Sequence, residues 1–242
     1  MRETFHIVRS VVLWIIIVIT LVLFFIPASV VWLLTVPFDR RRVVFHFITC
    51  LWGAFYLRLP GWTITVSGRS NFRKKQVYII ICNHQSLVDI AAVFYLFRHF
   101  KWVSKIENYR LPVVGWVMRM NRYISVDRSS RTSIIKMMDV SEKHLRQGSS
   151  VLLFPEGTRS RDRNIGTFKD GAFTLSMKTG IPVLPLYLEM PGDLIRRGFI
   201  FEGRKHIRLT VMPELSPGHF SGVEQFRDVT RSLYLAGFVK NN

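Results

Sequence analysis

From position 10 to position 38 the chain carries no charged residue: SVVLWIIIVITLVLFFIPASVVWLLTVPF. About 20 apolar residues in helical form cross a hydrocarbon core, so this run is long enough to act as a membrane anchor. A secretory signal has an apolar region of only about 7–15 residues before a small-residue cleavage site. Pro27-Ala28-Ser29 resembles such a site, but the apolar run resumes straight after it, which favours an uncleaved anchor. Pro27 predicts a kink or break. One tilted span and a re-entrant pair of shorter helices both satisfy the pattern. A second apolar stretch, VVFHFITCLWGAFY over 43–56, is too short to span. It suits either a helix lying in the interface, with Trp52, Tyr56 and Trp62 at headgroup depth, or a core helix packed on the following domain.

After Gly61 strand-like and helical patterns alternate. Strands are predicted over 63–67, 77–82, 101–104, 123–126, 150–154, 182–188 and 207–211. Helices are predicted over 87–96, 111–120, 132–147, 171–179 and 223–239. Ser86 is a candidate N-cap, Pro112 falls in a first helical turn, and Gly148 and Gly180 close helices. Pro182 and Pro185 suggest an edge strand or a bulge. This alternation argues for an α/β fold, a mostly parallel layered sheet flanked by helices, with an N-terminal hydrophobic helical membrane anchor. The expected division is 1–62 for the anchor and 63–242 for the α/β domain. In such sheets, sites gather where strands end.

Charge sharpens the picture. The 34 Lys+Arg against 16 Asp+Glu give a net +18, which fits nucleic acid, an anionic membrane or a phosphate-bearing substrate. The apolar anchor, and the lack of basic runs interleaved with aromatics, argue against nucleic acid. Asp39-Arg40-Arg41-Arg42 after the anchor predicts a cytoplasmic α/β domain by the positive-inside rule. The expected location is a bacterial inner membrane. Cys50 and Cys82 lie far apart and suggest neither a disulfide framework nor a zinc site.

The loop ends carry the candidate chemistry. His84 and Asp89, in CNHQSLVD, follow a buried strand. A carboxylate on the first helical turn can reach back to one imidazole nitrogen, leaving the other to take a proton. Alone, His-x4-Asp is equally a loop histidine beside an aspartate favoured by the helix dipole. Ser86 and Cys82 are weak rival nucleophiles; a hydrolase using Ser86 is the corresponding alternative. In FPEGTRS, over 154–160, Pro155 and Gly157 turn the chain sharply. Arg159 suits a phosphate, Glu156 could hold a substrate hydroxyl, and backbone N–H groups near Gly157 could face an oxyanion. Lys105, Arg128 and Lys169 stand at other loop ends. Each taken alone reads as a solvated charge; gathered with Arg159 they could form a phosphate site.

These residues together resemble the glycerolipid acyltransferases, in particular the 1-acyl-sn-glycerol-3-phosphate acyltransferases. Asn83, His84 and Asp89 match the family's Asn-His-x4-Asp. Val126-Asp127-Arg128 matches its hydrophobic-Asp-Arg, and 154–160 matches Phe-Pro-Glu-Gly-Thr-Arg-Ser unchanged. Residues 181–185 match its proline-centred strand, and Lys105, Glu107, Pro112, Gly115 and Trp116 a further segment. The second motif departs in lacking its opening glycine, with Met120-Asn121-Arg122 there instead. The resemblance implies acyl transfer from acyl-CoA or acyl carrier protein to the sn-2 hydroxyl of 1-acylglycerol-3-phosphate, with no cofactor and no metal. It implies His84 as base, Asp89 as its orienting carboxylate, and Glu156, Gly157, Thr158, Arg159, Lys105, Arg128 and Lys169 around the substrate. Another lysolipid, such as a lyso-aminolipid, is the alternative acceptor. A non-catalytic membrane scaffold is the reading from another class.

Overall fold

The computed structural model describes residues 2–86, 88–160, 164–196 and 199–240. Two helices lead, α1 (Arg2–Thr35) and α2 (Val43–Arg58). They form a hairpin: Phe24 meets Trp52 and Phe55, and the Tyr56 hydroxyl lies 3.2 Å from that of Thr20. α1 runs unbroken through Pro27, which corrects the expected break. The proline removes a single rung of the helix, while Ser29 Oγ donates to the Phe25 carbonyl beside it.

α1 is long and apolar enough to cross a membrane, yet one face of it lies along the domain. Arg9 donates to the carbonyls of Pro60 and Glu202, Trp14 to that of Phe199, and Trp32 to that of Met120. From Arg9 to Trp32 that is about 35 Å of helix. The opposite face, including Val11, Ile15, Val18, Val22 and Ile26, is exposed. α2 is divided in the same way. Phe45, His46, Cys50 and Leu57 are buried, and Val44, Phe47 and Leu51 are exposed. The core reading of 43–56 therefore holds for one face, and the other is apolar and exposed.

The strands are β1 (Thr63–Ser67), β2 (Ile79–Cys82), β3 (Phe100–Lys105), β4 (Ile124–Val126), β5 (Ser150–Leu153), β6 (Val183–Glu189), β7 (Ile195–Arg196), β8 (Ile200–Phe201) and β9 (His206–Val211). The main sheet has the order β1-β9-β6-β2-β5-β3-β4. Its pairings are parallel except for β6 with β9. The remaining helices are α3 (Asp89–Phe94), α4 (Val114–Met120), α5 (Arg131–Arg146), α6 (Gly171–Thr179) and α7 (Val223–Lys240). A strand covered on both faces reads as a continuous apolar run, and β2 shows why. Ile80 and Cys82 join the core containing Leu57 and Phe94, whereas Ile79 and Ile81 join the one containing Phe173 and Phe226.

Three expectations change. Pro185 lies in a central strand, so of the two expectations the edge falls and the bulge stands. It sits between the Leu186–Val211 pair and the isolated Val183–Leu215 bridge, where the ladder is interrupted and a missing N–H costs little. The helix expected from 111 begins at Val114, after a 3-10 turn over Ile106–Arg110. α3 begins at Asp89, and Ser86 Oγ accepts the N–H of Val88.

Basic groups cluster where the α1–α2 connection meets the sheet. Lys101, fully buried, donates to the carbonyls of Arg41 and Asn121 at 2.7 Å each. Burial lowers its pKa to about 7. Burial, then the Lys101 charge, lowers both His99 and His144 to about 4. Between about pH 6.5 and 4 the unfolded chain therefore binds more protons at these histidines than the folded one. Their stabilisation is present above pH 6.5 and lost on acidification, so thermal unfolding followed across that window should show a falling midpoint. His99→Gln should flatten the fall. A midpoint insensitive to pH in both proteins would refute this account.

Candidate active site

β2, β5, β3 and β4 are adjacent and parallel, so their C-terminal ends share one edge. The loops leaving that edge line a cavity of about 850 Å³ whose wall includes His84, Lys105, Arg128, Phe154, Thr158 and Arg159. Five of the sequence-predicted residues are thus brought together across 76 positions of chain.

His84 Nδ1 lies 2.6 Å from Asp89 Oδ2. The same oxygen accepts the backbone N–H groups of Gln85 at 2.7 Å and Ser86 at 3.0 Å. An ionised carboxylate only accepts, so Nδ1 carries the proton and Nε2 is left basic. The imidazole stacks on Phe154, with ring centres 4.1 Å apart and planes 19° apart. Asp89 is fully buried, so its carboxylate is withdrawn from solvent competition. Ser86 Oγ is turned onto Val88, which leaves the Ser86 hydrolase without a poised nucleophile.

Asn83 explains the polar residue that ends a greasy strand. Its buried side chain donates to the Leu188 carbonyl and accepts the Leu188 N–H, at 2.9 and 2.8 Å. It ties the loop carrying His84 to β6. The residue stood out in the sequence, but its partner lies 105 positions away. Phe154, the platform under His84, opens the matched 154–160 motif, but nothing in the sequence showed its contact with the imidazole.

The turn after β5 keeps two of the expected residues, Glu156 and Gly157, off the cavity wall. Glu156 does not face the cavity. Oε1 accepts the His84 N–H at 2.8 Å and Oε2 the Gly166 N–H at 3.0 Å. Both of its oxygens brace backbone, one of them that of the candidate base. Burial pushes its carboxyl pKa up, against the lowering effect of those two N–H groups. Gly157 donates its N–H to the Phe154 carbonyl, so it offers none to an oxyanion. It has φ 73°, and a Cβ there would come 2.8 Å from Lys169 Cε, so the turn requires glycine. Lys169 covers this turn and is absent from the cavity wall.

Glu156→Gln separates brace from substrate contact. The amide can accept only one of the two N–H groups and turns a donor on the other. The kcat should fall about 10- to 100-fold, the equivalent of about 1.4–2.7 kcal/mol, with KM for the acceptor unchanged. A raised KM at constant kcat would restore the substrate-holding role.

Arg128 and Arg159 both line the cavity. Burial lowers the Arg128 pKa, Glu107 opposes it, and the Arg159 charge adds a smaller lowering. Two guanidiniums on one wall suit an anion in the cavity. Lys105 is paired with Glu107 at 2.8 Å, both half exposed, so it contributes less. Beside this cavity lies a second, apolar one of about 280 Å³, lined by Leu21, Trp52, Phe94, Val117 and Met118 among others. The two share Ile90, Trp102 and Asn108.

The comparisons with known proteins agree with this geometry. A family model described as Acyltransferase matches residues 63–189. A 1-acyl-sn-glycerol-3-phosphate acyltransferase of Chlamydomonas reinhardtii is 37% identical over 167 residues, 68% of this chain and 50% of that protein. One from Borreliella burgdorferi is 32% identical over 158 residues, 65% of this chain and 63% of that protein. The chain spans about half the length of the first curated relatives it matches. The solved 1-acyl-sn-glycerophosphate (LPA) acyltransferase, PlsC, of Thermotoga maritima has the same fold, with TM-score 0.80, 23% identity and 97% of each chain covered. With the motif residues gathered at one sheet edge and more than half of its length matched, the chain belongs to the acyltransferase family.

Proposed function

We propose that the chain transfers an acyl group from acyl-CoA or acyl carrier protein to the sn-2 hydroxyl of 1-acylglycerol-3-phosphate, giving phosphatidic acid. The observation that carries this reading is the His84–Asp89 pair on the wall of a cavity that also holds Arg128 and Arg159. A thioester is already activated, so no enzyme nucleophile is needed. His84 Nε2 takes the hydroxyl proton as the oxygen attacks the carbonyl carbon. Asp89 supports the imidazolium that forms. The new C–O bond closes, the C–S bond breaks, and the imidazolium returns its proton to the departing thiolate. Thr158, a neighbour of Gly157 that lines the cavity, is the donor this reading assigns to the oxyanion. The guanidiniums take the acceptor's phosphate, and the adjoining apolar cavity takes an acyl chain. The names of the relatives support the same substrates.

The exposed apolar face of α1 lies in the membrane surface, because its other face is committed to the domain over about 35 Å. Arg40 and Arg41, exposed beside it, favour the anionic cytoplasmic leaflet, in keeping with a bacterial inner membrane.

Arg159→Met should raise KM for a phosphomonoester acceptor about 10- to 100-fold, the worth of a charge-assisted hydrogen bond, with little change in kcat. The test of the reading is a panel of lysolipids with and without a phosphomonoester, offered to wild type and variant. Wild-type preference for the phosphomonoester, lost in Arg159→Met, supports it. Equal use of a lyso-aminolipid by both proteins would overturn the acceptor assignment.

A further inference from the structure

We propose that α7 positions the catalytic pair, with Arg231 acting on His84 through the 165–166 peptide and Glu156; this rests on the base role given to His84 above. Arg231 lies beyond the 63–189 match, and no motif points to it. Its Nε donates to the Gly166 carbonyl at 2.8 Å and a terminal nitrogen donates to the Ile165 carbonyl at 3.2 Å. The Ile165 carbonyl and the Gly166 N–H belong to one peptide unit. A guanidinium on the oxygen polarises that unit and strengthens its N–H as a donor. That N–H meets Glu156 Oε2 at 3.0 Å, and Glu156 Oε1 takes the His84 N–H at 2.8 Å. The relay is continuous: α7 cation, loop peptide, buried carboxylate, backbone of the base. Gly166 permits it, since a Cβ there would stand 3.0 Å from Glu156 Oε2.

A second contact from the same helix face acts on the same strand end. Tyr234 lies three residues on, so it shares a face with Arg231. Its hydroxyl is fully buried, 3.1 Å from the Ile81 carbonyl and 3.0 Å from that of Leu186. Ile81 stands three residues before His84. Arg231 and Tyr234 thus hold β2, the turn after β5 and β6 in one register around the imidazole. Neither touches the cavity wall, so both are positioning residues.

The experiment uses the full, detergent-solubilised chain as wild type, Arg231→Met and Arg231→Lys. Steady-state kinetics are read per folded molecule, with the folded fraction taken from thermal melts. Diethyl pyrocarbonate labelling of the His84 peptide, followed by mass from about pH 5 to 8, reports the imidazole without any substrate. Misplacement of a reacting group by a distant change costs up to about 100-fold. Arg231→Met should therefore lose about 10- to 100-fold in kcat with KM values unchanged, and shift the His84 labelling profile. Arg231→Lys should recover part of both. Wild-type kcat and labelling in Arg231→Met, or a loss accounted for wholly by unfolded protein, overturns the proposal. If Arg231→Met does not fold, Tyr234→Phe takes its place: a lowered kcat with a shifted labelling profile supports the proposal, and wild-type values of both overturn it. A wild type that labels normally but transfers no acyl group would instead fault the acyltransferase reading, and the labelling shift would still decide the role of α7.

Discussion

His84→Ala is expected to lower kcat for acyl transfer by about 10²–10⁴-fold, the usual contribution of a positioned general base. The fold should survive, because the ring contributes one stacking contact with Phe154 and one hydrogen bond to Asp89. KM for either substrate should change little, since the groups proposed to take the phosphate and the acyl chain lie elsewhere on the two cavity walls. His84→Gln is the sharper control. It keeps a polar side chain of similar reach but has no basic nitrogen, so it should be as inactive as alanine. Activity in His84→Gln within a few-fold of wild type would mean that the residue only orients substrate.

Asp89→Asn is expected to match that loss in kcat. The amide oxygen can occupy the site of Oδ2 and accept from His84, Gln85 and Ser86. Ring orientation is then preserved, but the negative charge that supports the imidazolium is gone. The amide nitrogen also falls at the position of Oδ1, a buried atom with no hydrogen-bond partner, where its donors go unmet. Asp89→Ala differs by stripping the acceptor from all three donors. Each buried donor left unsatisfied costs about 1–3 kcal/mol, so this variant should lose stability as well as rate. Denaturant unfolding separates the two: Asp89→Asn below wild type in midpoint for its unmet amide donors, Asp89→Ala further below it for three stranded donors. Equal midpoints with an unimpaired kcat in Asp89→Asn would remove Asp89 from the mechanism.

Much of this site was legible because parallel strands advertise themselves. The apolar run before His84 and the run before Phe154 mark buried strands, and the polar residues at their ends have to sit at one edge. The roles were harder to read. A glutamate in a turn gives the same sequence signal whether it meets substrate or backbone. Glu156 does the latter because Gly166, ten positions on, folds back onto it. Lys169 reads as one more loop-end cation until Gly157 shows it covering the turn. The β7–β8 ribbon has two residues per strand, too few for any periodicity. The position of α1 was hidden for another reason. Its composition is that of a spanning helix, and only the contacts of Arg9, Trp14 and Trp32 reveal one face held by the domain. The relay from α7 likewise depends on long-range contacts that no local pattern encodes.

The central claim is that His84, held by Asp89, moves a proton from a lysolipid hydroxyl during acyl transfer. It is tested most directly by supplying a radiolabelled acyl thioester to the purified protein with and without 1-acylglycerol-3-phosphate, for wild type and His84→Ala. The account predicts labelled phosphatidic acid from wild type only when the acceptor is present, and none above background from the variant. Diacyl product formed equally by the folded variant, or none formed by wild type with either CoA or carrier-protein donors, would contradict it.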